Sequence, residues 1–464
     1  MKARSLTQIA DWIGADLSRA KGSLPVTGAS IDSRSTRLGD LFFALPGARV
    51  HGVAFAADAR RHGAVAVVTT PEFASRVEGP VLSVANPRLA LGQLAARVRE
   101  HESDKLAAVA ITGSVGKTTT CRYLAGLLAG QVVVQHPPAS FNNDLGVPLT
   151  ILNADPACEV LLCEVGASGP GEVARLGHWV RPRAAGVTAV GPAHLAGFGD
   201  LETVEREKLS LLDCLEPTGV GWVPAATAAR NPRLLASGLA PVFTFGPGGN
   251  LEILPNGKPG HWCLHWRHEG LVARFAWQPP FPHSLRNLEA ALGLAIGLGY
   301  SVENLLPRIA GLRLPPLRGE TQDCEGVSFV LDCYNSNPMS LESAIDRLRL
   351  EPVSGRRVMV VGTMEELGAD EQAWHERMGE RLAAPELDLV FVYGRGRDWY
   401  LNGLRAAGRD GIAVGDDAQS ARVLADHVRK GDQVLFKASR KEALEGFAER
   451  VARCIRERVP VMAR

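Results

Sequence analysis

Residues 106–120, LAAVAITGSVGKTTT, narrow the possibilities for this 464-residue chain more than any other stretch. An apolar run suited to a buried strand leads into a glycine-containing loop and then into Lys-Thr-Thr-Thr, the start of a helix. Gly113 and Gly116 allow a tight turn whose backbone N–H groups, with those of Ser114, Val115 and Thr119, can face phosphate oxygens. Lys117 adds a point charge toward the β- and γ-phosphates, and Thr118 a hydroxyl for Mg²⁺. An ordinary glycine turn before a helix is the competing reading, but it leaves the coincidence of motif, strand and helix unexplained. Position 111 is Ile, so the loop is shorter than G-x-x-x-x-G-K-[ST], and generic GTPases and kinases fit less well.

The rest of the chain extends the same alternation. At about 150 residues per domain the length allows about three domains. Residues 1–103 read as a small α/β unit ending in the charged break HESDK at 101–105. Residues 104–312 alternate strands and helices as a parallel sheet does, with a helix expected over 201–215 and a strand over 131–135. Within that block, 242–277 reads as a hairpin excursion. The Pro-rich stretch 312–320 suggests a hinge, and 313–464 a second, smaller parallel unit of Rossmann-like type. The expected fold is α/β in three domains, the central one a parallel-sheet, phosphate-loop ATPase domain.

Composition removes other classes. Gly (49) and Pro (29) together stay below the share that marks disordered or collagen-like chains. With 51 basic against 50 acidic residues, no global field draws the chain onto nucleic acid or an anionic membrane. No stretch approaches the ~18 apolar residues of a membrane span, and the N-terminus lacks a signal-peptide core. Eight scattered cysteines without C-x-x-C spacing read as free thiols of a reducing cytoplasm. We expect a cytoplasmic protein, monomeric, without nucleic-acid or membrane partners.

Further residues carry candidate chemistry. Glu164 closes the run EVLLCEVGA, where open α/β sheets bind ligands, and could hold Mg²⁺ opposite the phosphate loop; an exposed strand end is the alternative. Lys208 falls on an apolar helical stripe with Leu201, Val204, Leu211, Leu212 and Leu215, whereas Glu205, Arg206 and Glu207 fall off it. Such a lysine either snorkels to solvent or is held neutral, and a neutral amine can capture CO₂ as a carbamate, a metal ligand. His194 alone reads as an ordinary histidine. Asn337-Pro338 fits a helix N-cap followed by proline at the first helical position.

These segments, in this order, resemble the Mur ligase superfamily, ATP-dependent amide ligases of peptidoglycan synthesis. The matching stretches run from DSR at 32–34 through TGSVGKTTT at 112–120, FNNDLGVPLT at 141–150, EVGAS at 164–168 and AHLAGFGD at 193–200. They continue with EREKLSLL at 205–212, HSLRN at 283–287, PLRGE at 316–320, LDCYNSNP at 331–338 and GTMEELG at 362–368. Within the family, FNNDLGVPLT, HLAGFG and M-x-E-L-G are most similar to the branch that adds D-alanyl-D-alanine. The resemblance implies a UDP-sugar domain, an ATP domain and a domain that closes over the amine substrate. It implies that residues 113–119 cradle ATP, that Glu164 and Thr118 hold one Mg²⁺, and that His194 with carbamylated Lys208 holds a second. Lys117, His194 and Lys208 are then the catalytic set. Asn287, Arg318 and Asp332 meet the nucleotide. Ser33 and Arg34 lie near the uridine diphosphate, Asn142 and Asn143 near the muramoyl peptide, and Asn335 and Asn337 on the substrate side. Two positions depart from the pattern: Thr363 stands where Asp is usual, and Ala438 replaces a glycine. Both lie in the amine-side block. The alternatives are a related ligase with another carboxylate–amine pair, and a regulatory phosphate-loop ATPase.

Overall fold

The structure is a computed structural model that describes residues 1–19, 25–102, 106–137, 141–235, 240–281 and 283–458. Part of the charged break at 101–105 lies outside the described residues. Three larger sheets follow one another along the chain, of five, nine and six strands.

In the first, Gly28–Ser30, Asp40–Phe43, Ala66–Thr69 and Val81–Ser83 run parallel, with Asp16–Ser18 antiparallel at one edge. Helix Pro87–Glu102 leads from this sheet toward the second and is anchored by Arg99, which is fully buried. Its guanidinium donates to the carbonyls of Val180 (2.9 Å) and Leu106 (2.7 Å), so a charge that burial would penalise is satisfied by backbone dipoles. Asn153 adds a second tie, exchanging hydrogen bonds with the N–H and carbonyl of Ala29.

The second sheet carries the phosphate-loop strand, Ala107–Thr112, at an interior position between Val160–Glu164 and Ala184–Val187. All three strands are parallel and nearly every residue is buried, which explains the continuous apolar runs. Register places Glu164 beside Ile111 and Val187 beside Thr112, so the phosphate loop, Glu164 and the segment after Val187 leave the sheet at one carboxyl edge.

Residues 242–277 form the expected antiparallel excursion, and it continues this sheet at its edge. Val242–Phe245 pairs parallel to Val220–Pro224, and Leu251–Pro255, His261–Trp266 and Leu271–Ala276 follow outward. Buried Trp222, Phe245 and Trp266 give the extension an apolar face shared with helix Ser284–Gly297. The strand expected at 131–135 is confined to Val134–Gln135.

The helix expected to 215 ends at Leu209 and gives way to a tight turn over Leu212–Cys214. Its buried side also differs from the periodic stripe. Leu201 is 47% exposed, whereas Glu207 is buried and accepts from the N–H groups of Gly171 (2.8 Å) and Val173 (2.7 Å). The carboxylate thereby supplies orphan donors at the start of helix Glu172–Val180 with an acceptor, which offsets its burial.

In the third sheet Val327–Leu331, Gln433–Lys437, Arg357–Val361, Leu389–Tyr393 and Ile412–Val414 run parallel, in that order, with Glu320–Cys324 antiparallel at the edge. Asp332 and Lys437 follow or end neighbouring strands. No described helix is long and apolar enough to cross a membrane. The eight cysteines are free thiols, six of them buried.

Candidate functional site

The loop after Thr112 turns through Gly113 (φ 145°) and Gly116 (φ 86°) before helix Lys117–Leu128. A Cβ on Gly113 would lie 2.1 Å from Thr188 Oγ1, and one on Gly116 2.3 Å from Asn287 Oδ1, so close approach and backbone conformation both require glycine. Ser114 locks the turn: its N–H donates to Ala189 (2.8 Å) and its hydroxyl to Gly191 (2.8 Å). The loop therefore presents a helix N-terminus with its positive end open to an anion.

The partly buried Lys117 donates to the carbonyl of Gly113. Desolvation lowers its pKa to about 7, with the positive charge of Lys208 as the second cause and Glu164 opposing. A phosphate in the loop would restore the ammonium. Thr118 donates to Glu164 Oε2 (3.0 Å) and accepts from Arg318 Nη2 (3.1 Å). Glu164 is 2% exposed, and burial pushes its carboxyl upward against the pull of Thr118 and Arg318. The hydroxyl and carboxylate are hard oxygen donors of the kind Mg²⁺ selects.

Loop residues 114–119 line a cavity of about 820 Å³. Asn142, Asn143, His194 and Asn287 reach it from the central sheet, and Arg318, Asp332, Asn335 and Asn337 from the third. Asn337 joins the two sides, donating from Nδ2 to the carbonyl of Ser114 at 3.4 Å. The same residue caps helix Pro338–Leu350 in a reciprocal arrangement with Ser340. Asn337→Ala is expected to cost about 1 kcal/mol of stability, read by chemical denaturation, because the cap and the cross-link are lost together.

Lys208 does not line this cavity. It is 1% exposed, its Nζ sits 5.3 Å from the Phe198 ring, and its ammonium forms no ion pair among the described residues. Burial lowers its pKa to about 8, against the opposing charges of Glu207 and Glu172. Snorkelling is thus excluded for this side chain. His194 precedes the short helix Leu195–Phe198 that carries Phe198, without a side-chain bond to that helix, and its Nδ1 pairs with Glu366 from the third unit. Both His194 and Glu366 hold left-handed backbone (φ 54° and 64°), a conformation that non-glycine residues adopt at some cost and that gathers at functional sites.

Ser33 and Arg34 are not brought to this cavity. They form a short turn on the first sheet, where exposed Arg34 forks onto Asp32 and Ser33 is buried. Lys437, which sequence reasoning did not select, does line the cavity. It is 2% exposed, pairs with Asp332 at 3.1 Å and has its pKa lowered by burial. Its signal was available: it ends a strand, as Asp332 follows one. Glu366 is the glutamate of the M-x-E-L-G stretch at 364–368, but only the fold brings it to His194.

The two departures from the family pattern lie in the packing beneath the cavity. Thr363 is fully buried and its hydroxyl accepts from the N–H of Gly396 (3.0 Å). Ala438 is equally buried, its Cβ 2.8 Å from where a Cβ on Gly362 would stand.

Three family models match the chain: "Mur ligase family, catalytic domain" over residues 25–99, "Mur ligase middle domain" over 111–255, and "Mur ligase, glutamate ligase domain" over 317–440. The UDP-N-acetylmuramoyl-tripeptide–D-alanyl-D-alanine ligase of Escherichia coli (strain K12) is 31% identical over 84% of this chain and 86% of its own length. The ligase of the same name from Bacillus subtilis (strain 168) is 28% identical over 96% and 97%. Among solved structures, MurF from Acinetobacter baumannii superposes with a TM-score of 0.85 at 26% identity, covering 98% of this chain and 99% of that one. MurF from Thermotoga maritima in complex with ADP superposes with a TM-score of 0.78 at 28% identity, covering 94% and 99%.

Proposed function

Because the chain belongs to the Mur ligase family, we propose that it joins D-alanyl-D-alanine to a UDP-N-acetylmuramoyl-tripeptide, with ATP converted to ADP and phosphate. One observation supports this reading above the others. A phosphate loop and the carboxyl edge of a second parallel sheet face the same cavity, bridged by Asn337 and Arg318. An ATPase that only switches has no need of a second sheet closing on its γ-phosphate, whereas a three-substrate ligase does.

A carboxylate is a poor electrophile, so its activation comes first. The peptide's terminal carboxylate attacks the γ-phosphorus, the bond to the ADP oxygen breaks, and an acyl phosphate forms. The amine of D-alanyl-D-alanine then adds to the acyl carbon, phosphate departs, and the amine's surplus proton passes to solvent or phosphate. In this scheme Lys117 and the loop N–H groups bind the β- and γ-phosphates, and Arg318 and Asn287 line the nucleotide's path. Asn142 and Asn143 stand on the peptide side; Asp332 and Lys437 fix the edge of the closing sheet together with Asn335. Ser33 and Arg34 would serve the distant uridine end. The bridged arrangement aligns the reactants and keeps out water that would hydrolyse the acyl phosphate.

Thr118 and Glu164 fit one Mg²⁺. The described residues form no cluster of three His, Cys, Asp or Glu side chains, so phosphate oxygens would complete its coordination. His194 and Lys208 would hold a second ion once the neutral amine of Lys208 adds to CO₂ and releases a proton. Bound Mg²⁺ would offset charge on the phosphoryl group in transfer. Nucleotide-activated substrates and ATP suit a cytoplasmic setting for this chemistry.

Purified protein is expected to release phosphate from ATP only when both a UDP-muramoyl tripeptide and D-alanyl-D-alanine are present, with mass spectrometry showing the amide product. Phosphate release indifferent to both would reject the proposal. Release supported only by another amine would transfer the chain to a different branch of the family.

A further inference from the structure

Resting on the nucleotide reading of the cavity, we propose that Arg286 covers the adenine base and that the buried carboxylate of Glu289 positions it there. The phosphate loop leaves strand Ala107–Thr112, and the sheet steps from there through Ala184–Val187 and Val220–Pro224 to Val242–Phe245. Three steps at about 4.8 Å displace the far end of the cavity by roughly 14 Å, the scale of an extended nucleotide from phosphates to base. That end is walled by Ala225, Ala226, Phe245, Gly246 and Pro247, surfaces that suit a flat, uncharged ring.

Two cations line that end: Arg230, which is paired with Glu205 at 3.0 Å, and Arg286. Arg286 stands beside Asn287, which packs on the phosphate loop at Gly116, and its side chain is 38% exposed. One guanidinium nitrogen pairs with Glu289 at 2.5 Å, and the remaining N–H groups have no partner among the described residues. Glu289 is fully buried on the same helix, and its other oxygen accepts from the N–H of Ile253 at 2.7 Å. Gly246 turns through φ 91°, which favours glycine, and brings its backbone into ordinary contact range of the Arg286 side chain.

A buried carboxylate with one fixed N–H and one guanidinium holds that guanidinium in a single orientation. Burial moves the Glu289 carboxyl up to about 7, and Arg286 is the first of the groups that oppose the shift. The neighbouring Glu252 is engaged by Arg267 and does not compete for Arg286. The phosphate end already has Lys117 and the loop N–H groups, so a planar cation at the apolar end is suited to stack on a base.

The test uses the full chain, with ADP and inorganic tripolyphosphate as calorimetric probes alongside steady-state kinetics. Arg286→Ala is expected to raise the ADP Kd and the ATP KM about tenfold, leaving kcat at saturating ATP and tripolyphosphate binding unchanged. Arg286→Lys is expected to recover little, because the ammonium lacks the planar face. Glu289→Gln should shift the same constants in the same direction by less, and should add nothing when combined with Arg286→Ala. Unchanged ADP affinity in Arg286→Ala, or an equal loss of tripolyphosphate binding, overturns the inference for Arg286. An additive double variant overturns the positioning role of Glu289. Failure of the wild-type chain to bind ADP would instead strike the nucleotide reading itself.

Discussion

Lys117→Ala is expected to lower phosphate release by about a thousandfold at saturating substrates, with the circular dichroism spectrum unchanged. The side chain is partly buried at the loop, held on the Gly113 carbonyl, and poised near pKa 7 by desolvation and by Lys208. In that setting a developing phosphoryl charge meets a cation that water has not already screened. Lys117→Arg is not expected to restore the rate, because a planar fork cannot occupy the place of a compact ammonium. A loss of less than about tenfold would show that the backbone N–H groups alone carry the phosphate.

Depleting CO₂ from the wild-type enzyme is expected to abolish most of its turnover, and bicarbonate is expected to return it. Lys208→Ala should be slower by about a hundredfold or more and indifferent to bicarbonate. An amine at 1% exposure, with burial lowering its pKa to about 8 and no ion pair among the described residues, is neutral in roughly a tenth of molecules at pH 7, far more often than a free lysine. Only the neutral amine adds to CO₂. Undiminished turnover in a folded Lys208→Ala variant would remove the carbamate, and with it the second Mg²⁺ at His194, while leaving Glu164 and Thr118 untouched.

The residues whose meaning was legible in the sequence share one property: their roles follow from neighbours along the chain. Gly113 and Gly116 punctuate a strand–helix junction, Glu164 ends an apolar run, and Asn337 precedes a proline, so local backbone geometry placed each of them. The hairpin excursion expected at 242–277 is present as the antiparallel strands of 251–276. Periodicity describes strands and not which sheet they join, so their continuity with the central sheet was not legible. Their apolar faces were claimed by Trp222 and helix Ser284–Gly297. The helical stripe around Lys208 identified its burial correctly but misplaced Leu201 and Glu207. A carboxylate is buried when distant N–H groups wait for it, as those of Gly171 and Val173 do for Glu207.

By itself the sequence determined the alternating α/β architecture, the phosphate loop and the apolar setting of one lysine, because buried parallel strands and tight glycine turns leave local signatures. The tertiary structure alone decided that Glu366 meets His194, that Asp332 meets Lys437, and that Arg318 reaches Thr118 from another sheet. Those pairs join residues separated by about a hundred positions or more, and chain composition carries no record of which charges folding will bring within a few ångströms.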